Sequence, residues 1–173
     1  MLLNLITGVL IGLGSSVLLY TLHFQGLLRT PLGGRLLMGA MLIHGVGLLA
    51  ALWRHRSVGG AGGEIDVPFS RLFGAGLVIS MIAGLVVAQG SWLFIQVVDP
   101  TYLEWIQERS LEAVAESGMT ADEQAMQVEA IRGITPLRYA TQGLMGTLFF
   151  GLLLSLTLAA LLRIRVLRTQ SAV

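Results

Sequence analysis

The chain has no cysteine and no lysine. Without cysteine there is no disulfide, no thiolate metal ligand and no cysteine nucleophile. All 11 basic residues are arginine, so a lysine Schiff base is excluded as well. Charge is scarce overall, because 12% of the 173 residues are charged, against about 25% in ordinary soluble domains. These absences remove several enzyme classes before any motif is considered.

The small positive charge also argues against one class of partner. The formal net charge is +1, and the arginines form no concentrated basic face along the sequence. Proteins that bind nucleic acid need such a face to neutralise phosphates. We therefore predict no nucleic-acid partner.

Long apolar runs are what the sequence has in abundance. Hydrophobic residues make up 54% of the chain, and the mean hydropathy is +0.77. A bilayer core about 30 Å thick requires roughly 20 apolar residues in a helix. Four stretches meet this requirement, so we predict a single all-α integral membrane domain over residues 1–173, built as an up-down bundle of four transmembrane helices. The predicted spans are residues 2–28, 36–53, 72–98 and 139–162.

The connections between the first three spans are short. Residues 29–35 contain Pro31 and two glycines and predict a tight turn. Residues 59–63 are rich in glycine and predict a flexible linker, since no strand precedes them and no GK[ST] follows. The first span has no basic residue before it and no convincing cleavage site after it, so we expect a retained helix.

Arginine distribution predicts the orientation in the membrane. Four spans place both termini on one face, and basic residues near helix ends favour the cytoplasm. Arg109 and Arg132 lie deep in the long segment before the last span and carry less weight. We therefore expect both termini in the cytoplasm and residues 99–137 outside. The arginines on the face with the termini are Arg54, Arg56, Arg71, Arg163, Arg165 and Arg168; those on the other face are Arg29, Arg35, Arg109, Arg132 and Arg138.

Small residues recur every fourth position in the last two spans. In lipid, helices associate through close backbone contact at such positions. We expect the two stripes to pack against each other within one chain, with a homodimer seam as the alternative. Gly8 and Gly12 form a shorter GxxxG motif in the first span. The stripes are Gly76, Ser80, Gly84 and Ala88 in the third span, and Gly143, Thr147, Gly151, Ser155 and Ala159 in the fourth.

The segment 99–137 is polar and carries most of the acidic residues. The period of 3.6 residues predicts an amphipathic helix over 101–117, with Gly118 at its end. Thr120 and Glu123 then fit a capping box that begins a second helix reaching about Arg132. We therefore predict an extramembrane helical hairpin between the third and fourth spans. Its acidic face consists of Glu104, Glu108, Glu112 and Glu116.

This acidic face has three interpretations. A carboxylate metal site normally includes histidine from facing helices, and the segment has none, so no metal is predicted. A solvated face is the simplest interpretation. The functional interpretation is a surface that binds a partner bearing arginines.

Polar residues inside the spans suggest a second candidate site. His44 and Gln89 lie at similar depth, about 13 Å from the outer turn by helical rise, and His23, Gln96 and Gln142 lie nearer the outer edge. They could line a polar crevice, or a neutral His44 could bond Gln89 or a serine and hold helices together. His23 and His44 are offset by more than one turn, which disfavours a bis-histidine haem. No cofactor is predicted.

Several motifs resemble a known family. They are the stretch "IDVPFSRLFGAGLVISMIAGLV", the following "DP", the loop "SGMTADE" and the last span "FFGLLLSLTLAALLR". Together they resemble the bacterial membrane family catalogued as domain of unknown function 4199. The resemblance covers residues 64–163 by motif and the first two spans by hydropathy alone. It implies four membrane helices with a long insert before the last, and no catalytic residues. The absence of lysine departs from the lysine-rich loops of such proteins.

Two functional hypotheses follow. The first is a non-enzymatic accessory or scaffold subunit embedded in the lipid bilayer of a bacterial inner membrane. Its acidic hairpin and small-residue groove would bind another membrane protein or a second copy of the chain. The alternative is a pathway for a small molecule or proton, or a pH sensor, built on His44 and Gln89 with His23 and Gln96 near its mouth.

Overall fold

Helices account for the regular structure of the chain. A computed structural model describes residues 1–58 and 67–170, and the side chains of 56–58 and 163–170 fall outside the description. The glycine-rich linker predicted at 59–63 lies outside the described residues. No strand occurs within the described ranges. The helices are α1 (Leu2–Phe24), α2 (Pro31–Leu37), α3 (Gly39–Val58), α4 (Phe69–Leu93), a π-helical turn (Phe94–Val98), α5 (Tyr102–Ala115), α6 (Ala121–Arg132) and α7 (Pro136–Gln170).

Among the described residues, four helical segments are long and apolar enough to cross a membrane, in agreement with the four spans predicted from hydropathy. The third span is the most buried, at 39% of its apolar window, against 17 to 22% for the other three. It is therefore the central helix of the described bundle. The segments are Leu2–Phe24, Pro31–His55, Phe69–Val98 and Pro136–Leu162.

The tight turn predicted for residues 29–35 is wrong, because most of it is the short helix α2. Thr30 caps this helix: its Oγ1 accepts a hydrogen bond from the Gly33 backbone N–H at 3.1 Å. Pro31 occupies the first helical position, where its fixed φ is suitable and its missing N–H costs nothing. The chain reverses earlier, at Gly26, whose φ of +69° is the left-handed conformation that favours glycine.

The small-residue stripes face each other across α4 and α7. A Cβ atom added at Gly76 would lie 2.7 Å from the Cβ of Ser155, and one added at Gly151 would overlap Ser80. The facing pairs are Gly76 with Ser155, Ser80 with Gly151, and Gly84 with Thr147. Residue numbers rise along α4 as they fall along α7, so the two helices are antiparallel.

The first span also packs tightly on α4, through its GxxxG motif. A Cβ at Gly8 would lie 2.8 Å from the carbonyl oxygen of Ile79, and one at Gly12 would lie 2.8 Å from that of Ala83. Backbone oxygens cannot move aside as side chains do. Both glycines are therefore required for the approach of α1 to α4.

Buried side chains form two clusters along the bundle. The larger cluster is aliphatic and joins α1, α3, α4 and α7. The smaller lies where the membrane-spanning helices meet α5, and it is rich in aromatic residues. Its buried members are Leu22, Leu28, Phe94, Ile95, Tyr102 and Leu103, with Tyr20, Trp105 and Tyr139 packed against them.

Helices α5 and α6 contact each other and cap each other's ends. Gln107 on α5 donates to the carbonyl oxygens of Ile131 and Ile134, at 3.2 and 3.0 Å. Gln124 on α6 donates, at 3.4 Å, to carbonyl oxygens at the end of α5. The carbonyl groups of a helix's last turn lack partners within the helix. Each glutamine therefore adds hydrogen bonds to carbonyl groups at or just beyond the end of the other helix.

The start of α6 agrees with the sequence. The Thr120 Oγ1 accepts from the Glu123 backbone N–H, and the Glu123 carboxylate accepts from the Thr120 backbone N–H at 2.9 Å. The predicted capping box is confirmed. It fixes where the loop between α5 and α6 ends.

Candidate functional site

A buried carboxylate connects the membrane-spanning helices to the α5–α6 segment, residues 102–132. Asp99 follows the π-helical turn and is 6% exposed. Arg29 Nη2 donates to both of its oxygens, at 2.8 and 2.9 Å, and to Thr101 Oγ1 at 2.6 Å. The Thr101 hydroxyl group donates to one carboxylate oxygen of Asp99 at 2.8 Å, and His23 Nδ1 lies 3.4 Å from the other carboxylate oxygen. Asp99 thus joins the loop after α1 to the residues that begin α5.

The electrostatics of this cluster favour a charged Asp99. Burial by itself would raise the pKa of its carboxyl group. The hydrogen bonds from Arg29 and Thr101, with the charges of Arg29 and His23, outweigh burial and hold the pKa below its ordinary value of 3.8. Asp99 is therefore ionised at neutral pH and attracts the guanidinium group of Arg29.

A cluster of aromatic rings adjoins this site through His23. Phe94 is fully buried, and its ring meets those of Tyr20, His23 and Tyr102 edge to face, at centroid distances of 5.2 to 5.3 Å. Tyr102 also stacks on Trp105 at 5.7 Å. Burial raises the pKa of Tyr102 above its ordinary range, so its hydroxyl stays neutral. The rings hold the first turn of α5 against the bundle.

The π-helical turn directs Asp99 toward this cluster. Its wide winding places the Asp99 backbone N–H 2.9 Å from the carbonyl oxygen of Phe94, five residues earlier. Single π-turns of this kind occur often at functional sites. The turn carries Asp99 into the protein while Gln96 and Val97 remain exposed.

The acidic face of α5 is exposed along its whole length. Tyr102 and Leu103 are buried on the opposite side of the helix. Arg109 forms an exposed ion pair with Glu112 at 3.0 Å. The exposed acidic residues are Glu104, Glu108, Glu112 and Glu116.

The intramembrane histidine has a serine as its partner. His44 is 4% exposed, and its Nε2 lies 3.0 Å from Ser80 Oγ on α4. Phe150 meets the imidazole ring edge to face, with the centroids 5.9 Å apart. A Cβ at Gly151 would lie 3.3 Å from Nε2, so glycine leaves the room that this hydrogen bond needs. Such a contact between membrane helices contributes about 0.6 to 1.7 kcal/mol.

Three of the polar residues predicted around His44 lie elsewhere, whereas Gln142 lines a cavity together with His44. Gln89 is exposed. It follows Ser80 by nine residues, which places it on the opposite side of α4 at 100° per residue. Gln96 is exposed in the π-helical turn, and His23 contacts Asp99. The structure brings together His44 with Ser80, and His23 with Asp99, but does not gather the four residues at one site.

Sequence reasoning missed the link between Arg29 and Asp99. The two residues are 70 positions apart, and each taken alone is a typical charged residue at the end of a membrane helix. A signal was present: a lone Asp next to Pro100 at the end of an apolar run, at the same predicted membrane face as Arg29. Within the described ranges, no group of three or more His, Cys, Asp and Glu residues could hold a metal ion.

Comparison with known proteins gives one match. A family model described as "Protein of unknown function (DUF4199)" matches residues 5–163. No curated protein and no solved structure matches the chain.

Proposed function

This chain belongs to the DUF4199 family of proteins of unknown function, and we propose that it is a non-enzymatic interaction subunit of a membrane assembly. In this proposal α5 and α6 form a hairpin outside the membrane, and the acidic face of α5 binds a basic surface of a partner. The partner is another membrane protein or a second copy of the chain. The single observation that carries the proposal is the rigid attachment of this exposed face to the membrane helices.

The attachment argues for binding because solvation alone does not require it. An acidic helix that only keeps a loop soluble could be joined to the membrane helices by flexible connections. Here the Arg29–Asp99 ion pair and the rings around Phe94 hold the start of α5, and the reciprocal glutamines hold α6 to α5. A fixed orientation lowers the entropy lost when a partner binds.

Exposed methionines occur in the same α5–α6 segment as the acidic face. Met126 on α6 is 69% exposed, and Met119 in the loop is 44% exposed. Methionine is common at binding surfaces because its unbranched side chain adapts to its partner. A segment with both exposed acidic groups and flexible apolar groups suits a partner surface that combines arginine with apolar residues.

We further propose an up-down bundle in a bacterial inner membrane, with both termini in the cytoplasm and α5 and α6 outside. The cysteine-free chain permits a direct test. We expect a membrane-impermeant maleimide to label E112C in cells whose inner membrane is intact. S70C, exposed at the start of α4, should react only after that membrane is permeabilised. The reverse pattern would show that the orientation is inverted.

Replacing the four acidic residues of α5 tests the proposed binding surface. We expect the variant E104Q/E108Q/E112Q/E116Q to recover at least about tenfold less partner from native membranes in mild detergent. This corresponds to a loss of about 1.4 kcal/mol or more, because matched charges across an interface are removed. Recovery by the wild type should also fall as salt is raised. The measurement is affinity purification with quantitative mass spectrometry, including a second copy of the chain with a different tag.

A matched control distinguishes an effect of the acidic face of α5 from an effect of total charge. E104Q/E108Q and D122N/E129Q each remove two exposed carboxylates, the first pair from α5 and the second from α6. We expect partner loss from the α5 pair alone. Equal loss from both pairs would point to a nonspecific charge effect, and unchanged recovery by the quadruple variant would refute the proposed surface.

A further inference from the structure

A cavity of about 370 Å³ lies between α1, α3, α4 and α7, with His44 in its wall. Both its size and its mixed lining are typical of small-molecule sites, which span about 300 to 1,000 Å³. An apolar cavity of about 150 Å³ holds benzene, so this space suits a molecule two to three times larger. It far exceeds the roughly 30 Å³ that one water molecule occupies.

Glycines without packing contacts create this space. A Cβ atom at Gly143 or Gly146 would meet no atom within 4 Å, whereas one at Gly151 on the same helix would overlap Ser80. Gly151 is required by close helix packing. Gly143 and Gly146 are not, and both line the cavity. Gly143 belongs to the predicted packing stripe but leaves open space instead of making a contact.

The exposed lining residues mark the opening. Met41 on α3 is exposed, as are Gln142 and Gly146 on α7. All three belong to candidate membrane spans. The opening therefore lies between α3 and α7 on the lipid-facing surface, and a ligand would enter from the bilayer.

The lining chemistry defines the ligand. No Arg, Asp or Glu occurs among the described lining residues, so the site suits a neutral molecule. Hydroxyl groups of three lining residues already donate to carbonyl oxygens of their own helices: Ser15 to Ile11, Ser16 to Gly12, and Thr147 to Gly143. Their oxygen lone pairs remain as acceptors. A ligand hydroxyl group can then donate a hydrogen bond to one of these oxygens.

We propose that this cavity binds a neutral, membrane-soluble amphiphile that carries a hydroxyl group, of the phenol or alcohol class. Apolar side chains such as Leu19 and Val87 surround its body, and Phe150 contributes an aromatic wall. This site is separate from the acidic face of α5, so binding here goes beyond the proposed partner interaction.

The test uses 4-(trifluoromethyl)phenol as the probe. Its ¹⁹F NMR signal is measured with the full chain in zwitterionic lipid nanodiscs and with empty nanodiscs. We expect a saturable, protein-dependent bound signal for the phenol. The methyl ether 4-(trifluoromethyl)anisole has the same ring without a donor and should bind at least tenfold more weakly.

Cavity-filling variants locate the site. We expect G143L and G146L each to abolish the bound signal, since a Cβ at either position meets no atom within 4 Å and the rest of the leucine side chain occupies the cavity that the glycine lines. G74L is the matched control, because a Cβ at Gly74 also meets nothing and Gly74 does not line the cavity. The signal should persist in G74L and in the quadruple glutamine variant of α5. A signal equal to that of empty nanodiscs, or one retained in folded G143L and G146L, would overturn the site. Equal binding of the anisole would overturn the ligand class.

Discussion

Replacing Arg29 by glutamine is expected to lower the free energy of unfolding by about 2 to 3 kcal/mol at pH 7. The variant leaves the carboxylate of Asp99 buried without its main partner, and breaking a buried ion pair typically costs about 3 to 5 kcal/mol. The Arg29 side chain is 42% exposed, which places the expected cost below that range. Denaturation of the purified protein by sodium dodecyl sulfate, followed by circular dichroism, measures the change.

D99N is expected to cost less than R29Q, because it removes the buried charge together with the ion pair. The double variant R29Q/D99N should lose less stability than the sum of the losses in the two single variants, with a coupling free energy of about 1 to 2 kcal/mol. R109Q is the surface control. Its partner Glu112 is 61% exposed, so a change below about 0.5 kcal/mol is expected. Additive effects of R29Q and D99N would show that the two residues do not stabilise the fold as a pair.

The pH dependence distinguishes the ion pair from simple packing. The pKa of Asp99 in the folded protein lies below 3.8. Its contribution is therefore complete above that pH and is lost as the pH falls through the lower, folded pKa. The stability difference between wild type and R29Q should shrink as Asp99 becomes protonated. A difference that stays constant from pH 7 to pH 3 would mean that Arg29 acts through its methylene groups alone.

Replacing Gly12 by alanine is expected to destabilise the protein by about 1 to 2 kcal/mol. The added Cβ would lie 2.5 Å from the Cβ of Val86 and 2.8 Å from the carbonyl oxygen of Ala83. Overpacking of this kind costs about 1 to 3 kcal/mol. The higher helix propensity of alanine returns about 0.5 to 1 kcal/mol. Thermal unfolding of wild type and variant in one mild detergent measures the net loss of stability.

Gly74 supplies the comparison for this substitution. A Cβ at Gly74 would meet no atom within 4 Å, so G74A should be neutral or stabilising by up to about 1 kcal/mol. If G12A and G74A changed stability equally, the close approach of α1 to α4 would not depend on Gly12.

Hydropathy was sufficient to locate the membrane spans but not their polar ends. The second predicted span began at Leu36, yet the helical segment begins at Pro31 because Thr30 caps α2. A cap depends on one hydroxyl group and adds nothing to an average over 20 residues. The capping box at Thr120 was found because its two partners lie three residues apart.

Residue spacing indicated which helix faces are narrow, but not what each face meets. The stripe containing Gly76 and the stripe containing Gly151 do pack together, whereas Gly143 faces open space. Gly8 and Gly12, the shorter motif, also make close contacts with the neighbouring helix. Because every glycine lacks a side chain, whether the space beside it is filled depends on which residues of the neighbouring helix lie there. Similarly, nothing local in the sequence reports that Arg29 reaches Asp99.

The equal spacing of the stripes on α4 and α7 makes their alignment ambiguous. If α7 slid by one turn, Thr147 or Ser155 would replace Gly151, and small residues would still face small residues along most of the contact. At the level of His44 and Ser80 this exchange fails, since any side chain at the position of Gly151 would overlap Ser80 and crowd the imidazole. The close contact of Gly151 with Ser80 and His44 thus disfavours the neighbouring alignments. We expect the His44–Ser80 pair to discriminate among competing alignments, in the way that a single polar residue selects one alignment in a coiled coil.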